Sequence, residues 1–180
     1  MFITFGCIGL FGIAALIISA PYRLERILAY LDPWSDPLGS GFQGIQSLFA
    51  ITPGGLFGHG FNNSIQKHFF LPEPQNDFIY AIIVEEFGLI GGAIVLFLYF
   101  IIIYRSFKIC QNVDNMFCKF LLIGIPLTLI IQVFINVGVV IGLLPVTGIT
   151  LPLFSYGGSS LLISLISMGI ILNCTKYRNI

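Results

Sequence analysis

Long apolar runs alternate with polar intervals along this chain, and their order predicts an all-α integral membrane protein with four transmembrane helices. The runs are about Met1 to Ala20, Phe78 to Tyr104, Phe120 to Leu143 and Ser160 to Cys174. A helix needs roughly 20 apolar residues to cross ~30 Å of hydrocarbon. The last run reaches that length only if Ser155 to Ser159 add a turn. The first run has no basic leader and exceeds a signal-peptide core, so it is expected to be a retained helix. Three intervals separate the runs: a long one at 21–77, and shorter ones at 105–119 and 144–158. One membrane domain over 1–180 accommodates all of them.

The third interval is unusual. The 56 residues from Phe120 to Thr175 contain no charged side chain, yet their middle reads LPVTGITLPLFSYGGSS. Pro145, Gly148, Pro152, Gly157 and Gly158 prevent one continuous helix. Irregular backbone near membrane depth is tolerated only where protein buries it or it lines a polar cavity. The apolar 144–158 segment is therefore expected to fold back, re-entrant-like, into the protein.

Composition agrees with a membrane location. Hydrophobic residues make up 57% and charged residues 9%, against about 25% charged in soluble domains. The formal net charge is zero, which gives no basis for a nucleic-acid partner. Arg105, Lys108 and Lys119 bracket the 105–119 loop, and Lys176 and Arg178 lie in the tail. Lys and Arg in short flanks mark the cytoplasmic side. Both termini and 105–119 are thus expected inside, with 21–77 and 144–158 outside. The four cysteines fall in spans or beside the inner loop, where no disulfide is expected. No His/Cys cluster suggests a metal.

Within 21–77, two Asp-Pro pairs in PYRLERILAYLDPWSDPLGSGFQ mark turns. GFQGIQSLFAI reads as a short amphipathic helix bearing Gln43 and Gln46. TPGGLFGHGFNNS is a glycine-rich turn region, and QKHFFLPEPQND returns the chain to the membrane. His59 and His68 lack ligand spacing.

Asp77 stands where the polar segment becomes the second span, with a helix cap as its simplest role. Glu85 and Glu86 follow eight and nine residues later. At about 100° per residue they are rotated roughly 80° and 180° from Asp77, so at most one shares its face. An ionised group in a membrane is costly and turns inward by default. Glu85 and Glu86 are accordingly expected to brace a neighbouring helix or irregular backbone. Gln132 and Asn136 put amides on one face of the third span, suited to interhelical hydrogen bonds. Lys67 is a cation suited either to a diphosphate or to pairing with Glu73.

Assembled in order, these residues resemble the FtsW/RodA/SpoVE (SEDS) family of peptidoglycan glycosyltransferases. Asn136, Gly142-Leu143, Pro145, Gly148-Ile149 and Phe154-Ser155-Tyr156-Gly157-Gly158-Ser159-Ser160 match the family signature. DPWSDPLGSGFQ, QSL, NSIQK, LPEPQNDFIYA and EEFGLIGG are similar to further family blocks. NSIQK and PVTGITLP look closer to the FtsW/SpoVE branch. The resemblance implies the last four helices of a ten-helix fold, with the large outer loop between the seventh and eighth. Gln75-Asn76 departs from the His-Thr often found before the aspartate.

The resemblance also implies an activity: joining lipid II disaccharide units into glycan strands at the outer face of the bacterial cytoplasmic membrane. Asp77 then takes the proton of a sugar hydroxyl. Lys67, Gln66, Ser64, Gln43 and Arg23 are expected to bind substrate, with Arg26 as a further candidate for lipid phosphate. Glu85, Glu86, Asn136, Ser155, Gly157 and Gly158 are expected to support the site. Charge on the departing diphosphate needs stabilisation, for which Lys67 or a divalent cation would serve. No other cofactor and no metal cage is evident. Expected partners are a class B penicillin-binding protein and divisome proteins. A lipid II flippase and a non-catalytic scaffold are the competing readings.

Overall fold

A computed structural model describes residues 21–69, 71 and 73–177. The first expected span, Cys7 and Arg178 lie outside the described residues. The described chain is helical, in the order α1 (Pro21–Leu31), α2 (Phe42–Gly54), α3 (Ile65–Phe69), α4 (Ile79–Gln111), α5 (Met116–Val140) and α6 (Gly158–Cys174). Short 3-10 turns occupy Pro33–Ser35 and Thr175–Tyr177.

Two of these helices, α4 and α5, are long and apolar enough to cross a membrane, and the apolar α6 is shorter, at 17 residues. They pack in sequence, α4 on α5 and α5 on α6, while α2 lies against α4. Much of α4, α5 and α6 remains exposed and apolar, including Phe97, Phe100, Phe134, Leu162 and Ile163. Apolar faces of that extent require lipid or further protein.

Helix boundaries depart from the hydrophobic runs for identifiable reasons. The 105–119 interval is mostly helix, because α4 runs on to Gln111 and α5 begins at Met116. Arg105 and Lys108 are good helix formers, so polarity ends the apolar run there without ending the helix. Asn115 then caps α5, its side chain accepting from the Phe117 N–H at 2.9 Å. Beside this turn, Val113, Cys118, Leu122, Ile171 and Cys174 form a small buried cluster. Among its described residues the 21–77 interval holds three helices. In α1 the apolar residues of PYRLERILAYL recur at helical spacing and Pro21 fits a first helical turn, and the Asp-Pro turns follow it.

Gly88 divides α4. Its backbone sits at φ 71°, ψ −172°, a conformation open essentially to glycine alone. An unbroken helix would bond the Leu89 and Ile90 N–H groups to the Glu85 and Glu86 carbonyls. The glycine-rich 54–60 segment enters between them. Leu89 N–H donates to Gly55 O at 2.9 Å and Ile90 N–H to Leu56 O at 3.3 Å. In return, His59 N–H donates to Glu85 O at 3.0 Å and Gly60 N–H to Glu86 O at 2.9 Å. A Cβ on Gly58 would come within 2.2 Å of Glu86 O, and one on Gly88 within 2.2 Å of Leu56 O. The seam therefore depends on glycine on both sides. Below it, residues 89–111 span about 35 Å, enough to cross the hydrocarbon alone. The first turns of α4, with Glu85 and Glu86, lie on the N-terminal side of the break.

The 144–158 segment packs in part against α4. Leu151 and Pro152 are buried, and the Tyr99 hydroxyl on α4 donates to Pro152 O. Ser155 holds the turn: its Oγ accepts from Leu151 N–H at 2.7 Å, while its own N–H donates to Leu151 O at 2.9 Å. Thr150 Oγ1 and Ser160 Oγ, 2.9 Å apart, tie the segment to the start of α6. Phe154 stacks obliquely on Tyr99 and remains 40% exposed.

Candidate functional site

Most of the residues singled out from sequence lie around the N-terminal end of α4, in three groups. The first is a brace. Ser64 Oγ donates to Glu85 Oε2 at 2.5 Å, and the Ile65 and Gln66 N–H groups donate to Glu85 Oε1 at 2.8 and 3.2 Å. Ser64 Oγ in turn accepts from Lys67 N–H at 2.9 Å and caps α3. Glu85 is 1% exposed, and its oxygens are occupied by α3. A buried carboxylate with such a set of donors is a structural element.

The second group surrounds Asp77. Its side chain makes no hydrogen bond among the described residues, and the N-cap of α4 is Phe78, without side-chain capping. The capping role that sequence suggested for Asp77 is thus unfilled. Its backbone is fixed instead: Asn136 Nδ2 donates to both Asp77 O and Ile149 O at 2.8 Å. Tyr156 N–H donates to Gln75 O at 2.8 Å. Asn136 and the 144–158 segment thereby hold the chain on both sides of the aspartate. A Cβ on Gly148, at φ 76°, would lie 3.5 Å from Asp77 Oδ2, so the carboxylate lies against that turn. Burial pushes the Asp77 pKa above its ordinary value, Arg26 opposes the rise, and Glu73 adds to it.

Arg26 comes from α1. Its Nη1 donates to Val146 O at 3.0 Å, and Tyr30 on the same helix donates to Leu143 O at 3.0 Å. Gln43 and Arg26 line one cleft together with Val146. Arg23 lies over the Tyr22 ring and donates to its hydroxyl at 3.0 Å. Arg23 and Arg26, both named from sequence for lipid phosphate, stand one turn apart on α1 and have different partners, Tyr22 and Val146 O.

The third group lines a cavity of about 480 Å³ beside α4. Lys67, Gln75 and Glu86 supply its polar groups, and Phe61, Ile94 and Phe154 are among its apolar ones. Lys67 Nζ lies 3.7 Å from Glu86 Oε1 and 3.3 Å from Asn62 Oδ1. Gln66 is buried in α3, with its side-chain oxygen unbonded. Gln132 is exposed on α5, away from its expected companion Asn136, which is buried. Gly157 precedes α6 in extended conformation and Gly158 opens it. Among the described residues no group of three His, Cys, Asp or Glu side chains forms a metal-ligand cluster.

The arrangement matches known proteins over its whole length. The family model for FtsW/RodA/SpoVE cell cycle proteins covers residues 1–180. Stage V sporulation protein E of Bacillus subtilis is 54% identical over 176 residues, 98% of this chain and 48% of that protein. A protein described as probable peptidoglycan glycosyltransferase FtsW, from Geobacter, is 45% identical over 174 residues, 96% of this chain and 47% of its own length. Among solved structures, one described as "Structural coordination of polymerization and crosslinking by a peptidoglycan synthase complex" superposes with a TM-score of 0.67. It is 38% identical and covers 96% of this chain and 48% of its own. A mutant of the rod shape determining protein RodA from Thermus thermophilus superposes with a TM-score of 0.57 at 30% identity, covering 93% of this chain and 54% of its own. The chain spans about half the length of these relatives. With the signature residues Asn136, Gly148 and Ser155 standing where the fold uses them, the chain belongs to the FtsW/RodA/SpoVE family of cell cycle proteins.

Proposed function

We propose that this chain forms the outer catalytic half of a membrane-embedded glycosyltransferase that joins polyprenyl-diphosphate-linked disaccharides into peptidoglycan strands. Asp77 is the general base: it accepts the proton of the acceptor sugar hydroxyl as that oxygen bonds to the donor sugar, whose diphosphate departs. The observation that carries this reading is the contrast between Asp77's fixed backbone and its unbonded carboxylate. A base must be held in place while its lone pairs stay available. Its raised pKa moves it towards the basicity that proton transfer favours. Arg26 and Lys67 provide positive charge for the departing diphosphate.

The same reading sets the topology. Four spans, with 21–77 and 144–158 outside and 105–119 inside, put Asp77 at the outer face of the cytoplasmic membrane and both termini in the cytoplasm. Arg105, Lys108, Lys119 and Lys176 then share the inner end. A class B penicillin-binding protein is the fitting partner, given the synthase complex among the structural neighbours. A cysteine introduced at Asn62 should react with an impermeant outside reagent, and one at Asn115 should not; the reverse pattern overturns the topology.

The test of function is polymerisation of lipid-linked disaccharide by the full-length protein. Asp77→Asn and Asp77→Ala should lower the rate by about 10²–10⁴-fold, the usual contribution of a general base. Wild-type rates from Asp77→Asn would remove Asp77 from the chemistry.

A further inference from the structure

The Glu86 carboxylate has no place in the proposed proton transfer. It is 4% exposed, and its Oε1 finds no hydrogen-bond partner among the described residues. Lys67 Nζ stands 3.7 Å from that oxygen, beyond hydrogen-bonding distance. Glu85, the adjacent residue, is occupied by three donors. The difference is not one of burial, since both are withdrawn from water. An unbonded buried carboxylate oxygen costs free energy unless something else supplies a donor. Glu86 lines the 480 Å³ cavity, so a molecule in that cavity can supply it.

The cavity indicates what kind of molecule. Ile94 and Val95, beyond the Gly88 break in α4, line the same space as Glu86. That end is apolar and points into the membrane half of α4. The opposite end reaches Gln75, two residues before Asp77. Between them stand one ammonium group and one carboxylate oxygen without a donor. Phe61 and Phe87 line the wall at this level, their ring centroids 6.1 Å apart. Aromatic faces beside a hydrogen-bonding carboxylate suit the C–H and O–H surfaces of a sugar. An amphiphile with an apolar chain, an anionic link and a hydroxyl- or amide-bearing saccharide presents matching groups in that order.

We propose that Glu86 and Lys67 form a head-group subsite in this cavity. Lys67 holds the phosphate of a lipid-linked saccharide, Glu86 accepts a hydrogen bond from the O–H or N–H of the sugar nearest it, and the chain lies along α4 towards Ile94. Glu86 is a positioning residue that fixes how far the saccharide reaches towards Asp77. This inference rests on the glycosyltransferase reading and names a subsite within it.

Binding is measured apart from turnover, using full-length protein that carries Asp77→Asn and a heptaprenyl-diphosphate-linked disaccharide as probe. Adding Glu86→Gln should weaken binding at least tenfold, because the amide presents a donor or a weaker acceptor to the sugar. Lys67→Met, at a more exposed position, should weaken it similarly without changing the melting temperature. Removing the sugar from the probe should abolish the effect of Glu86→Gln and preserve that of Lys67→Met. With Asp77 intact, Glu86→Gln should raise KM far more than it lowers kcat. Equal affinity with and without Glu86, or equal losses for the probe lacking sugar, would overturn the subsite. A purely structural Glu86 would lower the melting temperature and leave KM unchanged, which also contradicts the proposal. If wild-type protein binds the probe through Glu86 yet does not polymerise it, the reaction assignment fails and the subsite stands. If polymerisation is normal and KM is indifferent to Glu86, the reverse holds.

Discussion

Two polar regions share the N-terminal end of α4, and their carboxylates are treated in opposite ways. Around Glu85, α3 and the 54–60 segment supply donors until nothing is left open, both to the carboxylate and to the carbonyls released at Gly88. Around Asp77 the backbone is held as firmly, by Asn136 and Tyr156, while the side chain is left unbonded beside Arg26 and Glu73. One region spends its polar groups on folding; the other uses folding to present a polar group. Charge in an apolar setting thus does not by itself indicate chemistry. The useful distinction is whether local donors have already claimed the carboxylate.

If the braced region is structural, breaking it should have the largest effect on stability. Gly88→Ala places a Cβ within 2.2 Å of Leu56 O at a backbone conformation alanine rarely adopts. A loss of about 3 kcal/mol or more is expected, read from denaturant or thermal unfolding in detergent. An unchanged unfolding midpoint would mean the seam is not as described. Glu85→Ala removes one acceptor from three donors, two of them main-chain, and should cost about 2–4 kcal/mol.

Asn136 connects the comparison, because it holds the open region by two hydrogen bonds. Asn136→Leu should cost about 1–3 kcal/mol and reduce polymerisation by more than the loss of folded protein explains, since Asp77 and the Gly148 turn separate. A fall in activity that merely tracks the folded fraction would place Asn136 with the brace. Tyr99→Phe, which loses only the bond to Pro152 O, should have a smaller effect, about 1 kcal/mol.

Much of this was legible in the sequence. The apolar runs locate α4, α5 and α6, and the LPVTGITLPLFSYGGSS pattern forecasts the interruption between α5 and α6. The inward turn of Glu85 follows from the cost of exposing charge to lipid. The Gly88 seam was not legible, although its 54–60 half was visible as a glycine-rich stretch. The pairing is long-range, and a lone glycine in a helical run reads as helix. Helix α1 was obscured by the Asp-Pro pairs that follow it. Arg23 and Arg26 are one turn apart on α1 and share a face by period, so only their partners in the structure distinguish them. Glu86 could not be separated from Glu85 by composition, because the difference lies in which neighbours reach each of them.

Asp77 also makes a prediction about pH. Its folded-state pKa lies above its unfolded value, chiefly through burial. The native state therefore binds more protons than the unfolded state across the window between the two values. Stability contributed by protonated Asp77 is complete below the ordinary carboxylate pKa and is lost as pH rises through the folded pKa. At neutral pH the ionised side chain is a small burden on the fold. Asp77→Asn should raise the melting temperature slightly at neutral pH and lose that advantage in acid, with partial exposure keeping the effect modest. Polymerisation should decline on the acid side with a midpoint above the ordinary aspartate value.

The most direct measurement sets the two regions side by side in full-length protein at neutral pH. Asp77→Asn and Glu85→Gln are purified together, and each is assayed for lipid-linked disaccharide polymerisation and for thermal unfolding. Asp77→Asn should be inactive and at least as stable as wild type, since it gives up a base and no hydrogen bond. Glu85→Gln should unfold at a lower temperature, since its amide opposes donors with a donor, and the molecules that remain folded should still polymerise. An Asp77→Asn protein that polymerises at the wild-type rate, or that loses stability as Glu85→Gln does, would contradict the division of labour at the N-terminal end of α4.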